Sequence, residues 1–490
     1  MLDNRTFVRI FSIQLNIVHM KKLLILAILF SICSSMDAQP IRIAITNATV
    51  IDMNNGNLIK NQTIIIEGNT ITSVSGKSAV PKNATVIDAK GKYVMPGLWD
   101  MHAHAFADRK FEWLFPSLIA NGVTGVRELG TGVPYDSIHL IIKQVNEGKL
   151  VGPRFGAVTQ LIFNGTPMPG WPIMAVTNPS DARELVKKHK ENGMDFIKVY
   201  NTLAPEILLA ITEEAKLQGL PVGGHVPYEM SAGEASDLGF VSIEHNTDII
   251  MSCSSNETIL RPQLDSFKNL GTGASRRQEI EFKAMQTFDE QKAIELFKKF
   301  VRNGTSLCPT LVIPARNIKT ADELAKDDRT KYIPQSLRDR WYNQMSQIPR
   351  GNPSDPRIKL LLEKRISIVG LMQRSGVNIL AGSDFPNPYV YPGFSLHDEL
   401  ELLVQGGLTP LQALQAATIN AAKFFHREKD LGTIEKGKLA DVIILDENPL
   451  DKIGNSKKLF AVVANGRVFM RKDLDELLNQ VVGISTPTQR

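Results

Sequence analysis

From residue 97 to 426, short apolar runs of strand type alternate with amphipathic stretches of helical period, and few architectures accept that order. The strand-type runs fall at 98–104, 124–128, 154–160, 195–200, 221–225, 241–245, 305–311 and 378–384. Helical stretches such as 181–192, 206–218 and 357–375 lie between them. A strand followed by a crossover helix returns parallel and right-handed, so eight such units predict a closed (β/α)8 TIM barrel rather than an open sheet. The polar insertions 246–290 and 312–356 exceed ordinary connections and are expected to be partly helical lids or rim elements.

The flanks have a different texture. Residues 41–96 hold β-branched runs separated by Asn and Gly turns. The same pattern returns in 428–480, where Asn465-Gly466 is a tight hairpin signal. Two such segments at opposite ends of a chain are expected to pair into one small β-sandwich domain, 41–96 plus 428–480, bracketing a barrel domain over 97–427. Further upstream, Met20-Lys21-Lys22 precedes an apolar stretch of about ten residues from Leu23, which fits a secretory signal and is too short to span a bilayer. Residues 1–38 therefore read as a signal region, with Met20 as the true start and an exported, periplasmic or extracellular product. Lipid anchoring at Cys33 is the lesser alternative, because Phe30-Ser31-Ile32 lacks the small residue expected there. Cys253 and Cys308 remain, either as a pair or as two buried thiols.

Composition excludes some functions. A net charge of +5 over 490 residues, with no Lys/Arg block, argues against nucleic acid as a partner. No stretch after the signal region is long and apolar enough to cross a membrane. Homo-oligomerisation is left open.

Six residues of metal-binding type sit where strand-type runs give out: His102, His104, Lys198, His225, His245 and Asp384. In a parallel barrel the C-terminal strand ends carry the chemistry. His102 and His104 share one face of a strand, about 7 Å apart, so two neutral imidazoles can grip one divalent ion; packed core histidines are the alternative. Phe196, Lys198 and Tyr200 share a face, with Ile197 and Val199 on the other, which aims the lysine into the barrel. A buried ammonium is costly. Either it pairs with a carboxylate, or its pKa falls and the neutral amine captures CO₂ to give a carbamate, an anion able to bridge two metals. His225, His245 and Asp384 each have a structural alternative as packed imidazoles or a helix cap, yet four histidines gathered at the ends of three strands point to metal chemistry.

These motifs carry a resemblance. The wording Val94-Met95-Pro96-Gly97-Leu98-Trp99-Asp100-Met101-His102-Ala103-His104, Gly125-Val126-Arg127, Phe196-Ile197-Lys198-Val199-Tyr200, Ser242-Ile243-Glu244-His245, Gly382-Ser383-Asp384 and the stretch 431–442 resembles the amidohydrolase superfamily, within it the imidazolonepropionase-like and prolidase-like metal-dependent hydrolases. The resemblance implies two divalent ions, zinc fitting the N/O donors best and Mn, Co or Ni tolerated. By position, His102, His104 and Asp384 would bind the first ion and His225 and His245 the second, with N6-carboxylysine at Lys198 bridging both. A metal-bridging hydroxide would attack the amide carbonyl, with Asp384 as general base. The implied activity is hydrolysis of amide bonds in dipeptides or N-acyl amino acids. Glu128 stands where relatives usually have Asp. Tyr228 is a candidate substrate-facing or oxyanion-stabilising hydroxyl, or else a rim aromatic. The competing readings are a mononuclear cyclic amidohydrolase or deaminase, disfavoured by Lys198 and by the spacing of Glu229 from His225, and a non-catalytic binding protein, disfavoured because no ligand is missing.

Overall fold

The computed structural model describes residues 41–106, 111–168, 171–246, 248–267, 274–347 and 353–485. The expected signal region, with Met20 and Cys33, lies outside them.

Both ends of the chain contribute to one eight-stranded sheet. Arg42–Ile51 pairs antiparallel with Leu58–Glu67, which pairs with Thr70–Ser75. On its other side Arg42–Ile51 runs parallel to Thr85–Asp88 and Tyr93–Pro96. Tyr93–Pro96 is the seam: it pairs antiparallel with Val442–Leu445, followed by Leu459–Ala464 and Arg467–Met470. The last two strands form the hairpin expected at Asn465-Gly466, both residues at positive φ (48° and 74°), the conformation that matches the strands' twist. Alternate residues from both ends (Ile43, Ile45, Ile64, Ile66, Val94, Val442, Ile444 and Val463 among them) form a hydrophobic core separate from the main one. The closing helix Arg471–Ser485 packs instead against the barrel helix Phe111–Ala120, placing Leu474, Leu477 and Val481 in the main core.

Between these ends the barrel closes. Its strands are Leu98–Ala103, Val123–Leu129, Arg154–Thr159, Ile197–Val199, Val222–Gly224, Phe240–Glu244 and Ser306–Cys308, completed by the extended segment 378–385. Neighbours pair in parallel. Asp195 N donating to Val158 O (3.1 Å) joins the third and fourth strands, and a Leu307–Ile379 bridge joins the last two. Met101 N to Ala381 O (2.9 Å) and Asp384 N to His102 O (2.7 Å) shut the ring. The helices follow the predicted stretches: Pro179–Glu191 starts where the Asn178 side chain accepts the Asp181 N–H, and Pro356–Arg374 where Asp355 caps Arg357, each with proline in the first turn. The insertions are helical in part, and Ala274–Gln286 packs against Pro356–Arg374. Among the described residues no helix is long and apolar enough to cross a membrane. Cys253 and Cys308 are free, buried thiols rather than a disulfide.

Two glycines set the barrel's upper end. At Gly382 an added Cβ would meet Cys308 Sγ at 2.5 Å and His102 N at 2.7 Å, so only glycine lets the eighth segment lie against the first strand. At Gly224 (φ 137°) a Cβ would fall 2.2 Å from Val199 O, which would hold the strand bearing His225 away from the one bearing Lys198.

Candidate metal centre at the mouth of the barrel

All six predicted residues lie in or just after barrel strands or the extended segment 378–385, and the structure brings them together. Ile197 and Val199 join the core with the helices, while Phe196 packs inside with Leu129 and Ala157, so the expected alternation holds. Lys198 therefore points inward, 1 % exposed, with Nζ 3.4 Å from His102 Nε2. Among the described residues no carboxylate oxygen lies within 4.0 Å of that Nζ, so the ordinary lysine–carboxylate pair is not formed. Asp384 Oδ1 lies 3.4 Å from His102 Nε2 and 3.2 Å from His104 Nε2, and its Oδ2 3.8 Å from His245 Nε2. The His102 and His245 rings are 4.4 Å apart and those of His225 and His245 4.7 Å. His245 and Asp384 take positive φ (62° and 64°), a conformation non-glycine residues adopt at a cost and which here turns both side chains back over the barrel.

Each imidazole is aimed by its other nitrogen. The Nδ1 atoms of His102, His104, His225 and His245 meet a Glu244 oxygen (2.8 Å), Gly130 O (2.8 Å), Asn201 Oδ1 (2.8 Å) and Thr310 Oγ1 (2.6 Å). For the first three the partner only accepts, which places the proton on Nδ1 and leaves the Nε2 lone pair free. Orientation of that kind is what metal-binding histidines require. As a fit test, one donor atom each from His102, His245 and Asp384 lie within 4.8 Å of one another, a spacing able to hold an ion.

Electrostatics favour the same use. Burial, followed by repulsion from neighbouring cationic groups, holds His102 and His225 well below the usual imidazole range, and burial brings His245 to about 4 against the opposing pull of Asp384. Burial lowers Lys198 to about 8, which keeps a fraction of the amine neutral near pH 7. Burial pushes Asp384 upward, but the adjacent imidazoles outweigh it and keep the carboxyl anionic.

The supporting residues were harder to read from sequence. Arg127, fully buried, donates to Met101 O (2.6 Å), Ser242 Oγ (2.8 Å) and Glu244 Oε1 (2.7 Å), and its guanidinium lies over the Phe424 and Phe196 rings. Glu244 then orients His102. A charged residue inside an apolar strand must find a partner, and that signal, present in both 123–129 and 240–244, marks this pair. Breaking a buried ion pair from one side costs about 3–5 kcal/mol; we expect Arg127→Met to lose stability in that range in urea unfolding, with a wild-type midpoint as the contrary result. Glu128 accepts the Ala105 N–H (2.5 Å) and fixes the turn after the first strand. His189 gives a pH signature outside the centre. It is buried against Thr159 and the Phe196 carbonyl, and burial lowers it to about 4. The native state excludes a proton the unfolded chain binds below 6.5, so stability present above 6.5 falls as pH drops toward 4, by up to about 1.4 kcal/mol per pH unit. His189→Gln should flatten urea-unfolding stability between pH 6.5 and 4 relative to wild type; equal slopes would contradict this.

Tyr228 lines a cavity of about 500 Å³ that opens onto His245, Tyr200 and Asn201. Its hydroxyl accepts Asn201 Nδ2 (3.1 Å), the residue that also holds His225. Trp171, 40 % exposed, stands edge-on to His104 at 5.9 Å.

Fold and site together define a barrel enzyme whose chemistry sits at the C-terminal ends of its strands. The amidohydrolase family model matches residues 93–469, and the chain belongs to that family, hydrolases of carbon–nitrogen bonds. It is 23% identical to ochratoxinase of Aspergillus niger, over 84% of this chain and 83% of that protein. Imidazolonepropionases also match. Among solved structures it is similar to a putative prolidase from Bifidobacterium longum (TM-score 0.63, 24% identity, 90% of this chain and 99% of that one). It is likewise similar to bottromycin amidohydrolase (TM-score 0.72, 23% identity, 91% of each).

Proposed function

We propose that the chain is an exported binuclear hydrolase of amide bonds in small substrates, dipeptides or N-acyl amino acids. The observation that carries this reading is Lys198: a buried amine of lowered pKa, beside an imidazole, with no carboxylate of the described residues within 4.0 Å. The neutral Nζ attacks CO₂, forming an N–C bond and releasing a proton, and the resulting carbamate supplies the anion the centre needs. His102, His104 and Asp384 would hold one ion and His225 and His245 the other, with the Lys198 carbamate as an anionic ligand available to the centre and zinc suited to these donors. Such ions, when bound, would lower the pKa of a water at the centre and polarise the substrate carbonyl. Asp384 takes the proton of the attacking water and delivers it to the leaving nitrogen. Tyr228 faces the substrate. The cavity's volume suits a ligand of dipeptide size.

The likeness to a solved Xaa-Pro dipeptidase supports an amide-type substrate. A 5-methylthioadenosine/S-adenosylhomocysteine deaminase is also a relative, which makes the mononuclear reading the outcome to exclude. In the same spirit we read the eight-stranded sheet as a small β-sandwich domain, 41–96 plus 428–480, beside a barrel domain over 97–427, and residues 1–38 as the export signal. Metal analysis of protein grown with and without bicarbonate, joined to a screen of dipeptides and N-acyl amino acids, is the test. Two metals per chain with amide cleavage is expected; one metal with deamination would overturn the reading.

A further inference from the structure

The cavity beside the centre has an uneven charge balance among the described residues. Its wall carries Asp248, Glu281, Arg277 and Arg365. Glu281 is held by Arg365 through Nε (3.0 Å) and Nη2 (2.6 Å). Asp248 is held by Arg261 through both guanidinium ends (2.7 and 2.9 Å). Both carboxylates are therefore consumed. Arg277, one helical turn before Glu281 on Ala274–Gln286 and so on the same face, has no carboxylate of the described residues within 4.0 Å. Its Nη1 donates to the Tyr228 hydroxyl, and its guanidinium lies 5.7 Å from that ring. A guanidinium has five N–H donors arranged to match a planar carboxylate, so one bond to a neutral hydroxyl leaves the matching edge unspent.

The placement is directional as well. From Arg277 hydrogen bonds run through the Tyr228 hydroxyl to Asn201 and on to His225 Nδ1. A ligand anion on Arg277 is thus held at a fixed remove from the imidazole cluster, with the tyrosine as spacer. We propose that Arg277 selects substrates bearing a carboxylate, binding that group in this cavity, while Tyr228 positions the guanidinium. This rests on the amide-hydrolase reading and names the side chain that recognises the free acid its proposed substrates carry.

The test uses the full metal-loaded chain with Ala-Leu and its C-terminal amide as substrates. Binding of leucine and leucinamide, followed by calorimetry, gives a second readout that needs no turnover. Wild type is expected to prefer the acid over the amide by about 10- to 100-fold in both kcat/KM and affinity, the scale of a charge-assisted pair. Arg277→Met should bring the acid-to-amide ratio near one, chiefly through KM of the acid; Arg277→Lys should keep part of it, and Tyr228→Phe most of it. A preference that survives in Arg277→Met, is lost only in Tyr228→Phe, or is absent from wild type overturns the proposal. Cleavage of neither substrate by wild type would count against the amide-hydrolase reading, and the leucine-binding ratio would still decide the role of Arg277.

Discussion

Lys198→Ala is expected to lose at least about 10³-fold in turnover, because the substitution removes the one anion proposed to touch both ions and with it the driving force for ionising water. Metal content should fall from two per chain toward one or none. The geometry adds a specific rescue. Truncating a side chain that ends 3.4 Å from His102 Nε2 leaves room in which a short carboxylic acid can stand where the carbamate stood. Acetate or propionate should therefore restore part of the activity in Lys198→Ala, with saturation, and do nothing for wild type. Folding is not the confounder it would be for a paired lysine, since no carboxylate of the described residues within 4.0 Å is orphaned. A fully active Lys198→Ala enzyme with one metal would move the protein to the mononuclear class.

Asp384→Asn separates chemistry from metal binding. The amide keeps an oxygen donor at the same place but cannot take a proton, so much of the metal should stay while turnover falls by about 10²-fold or more, the usual contribution of a positioned base. The wild-type carboxyl is held below its ordinary range by His102, His104 and His245 against the opposing effect of burial. Its protonation therefore does not set the acid limb of the rate profile near neutrality. Inductively coupled plasma analysis alongside kcat gives both numbers; near-normal turnover would remove Asp384 from the base role.

Much of the barrel was legible because its signals are local. Strand and helix periods show over five to fifteen residues, and Asn178, Asp355 and the prolines after them mark helix starts in the sequence itself. The six residues that the structure gathers at the barrel mouth stand out for the same reason: each is a polar residue in or at the end of an apolar run. What stayed hidden depends on contacts across the chain. Nothing near His225 names Asn201 as its partner, nor does His245 name Thr310, 65 residues away. Arg277 lies in an insertion whose mixed charge reads as solvated surface until the pairing of Glu281 with Arg365 shows which cation is left over. The eighth barrel segment makes only isolated bridges at Ile379 and Phe385, so its strand-like sequence overstated its regularity.

The seam between Tyr93–Pro96 and Val442–Leu445 has a consequence for how the enzyme comes into being. Gly97 N donates to Asp441 O (2.8 Å) and Trp99 N to Ala417 O (2.8 Å), so the strand that delivers His102 and His104 is pinned at its base by residues made more than three hundred positions later. A ribosome must pass residue 441 before the strand carrying His102 and His104 is held at its base. Maturation is thereby coupled to distant synthesis: a translation product that stops short of residue 417 carries both histidines yet lacks the residues that pin their strand.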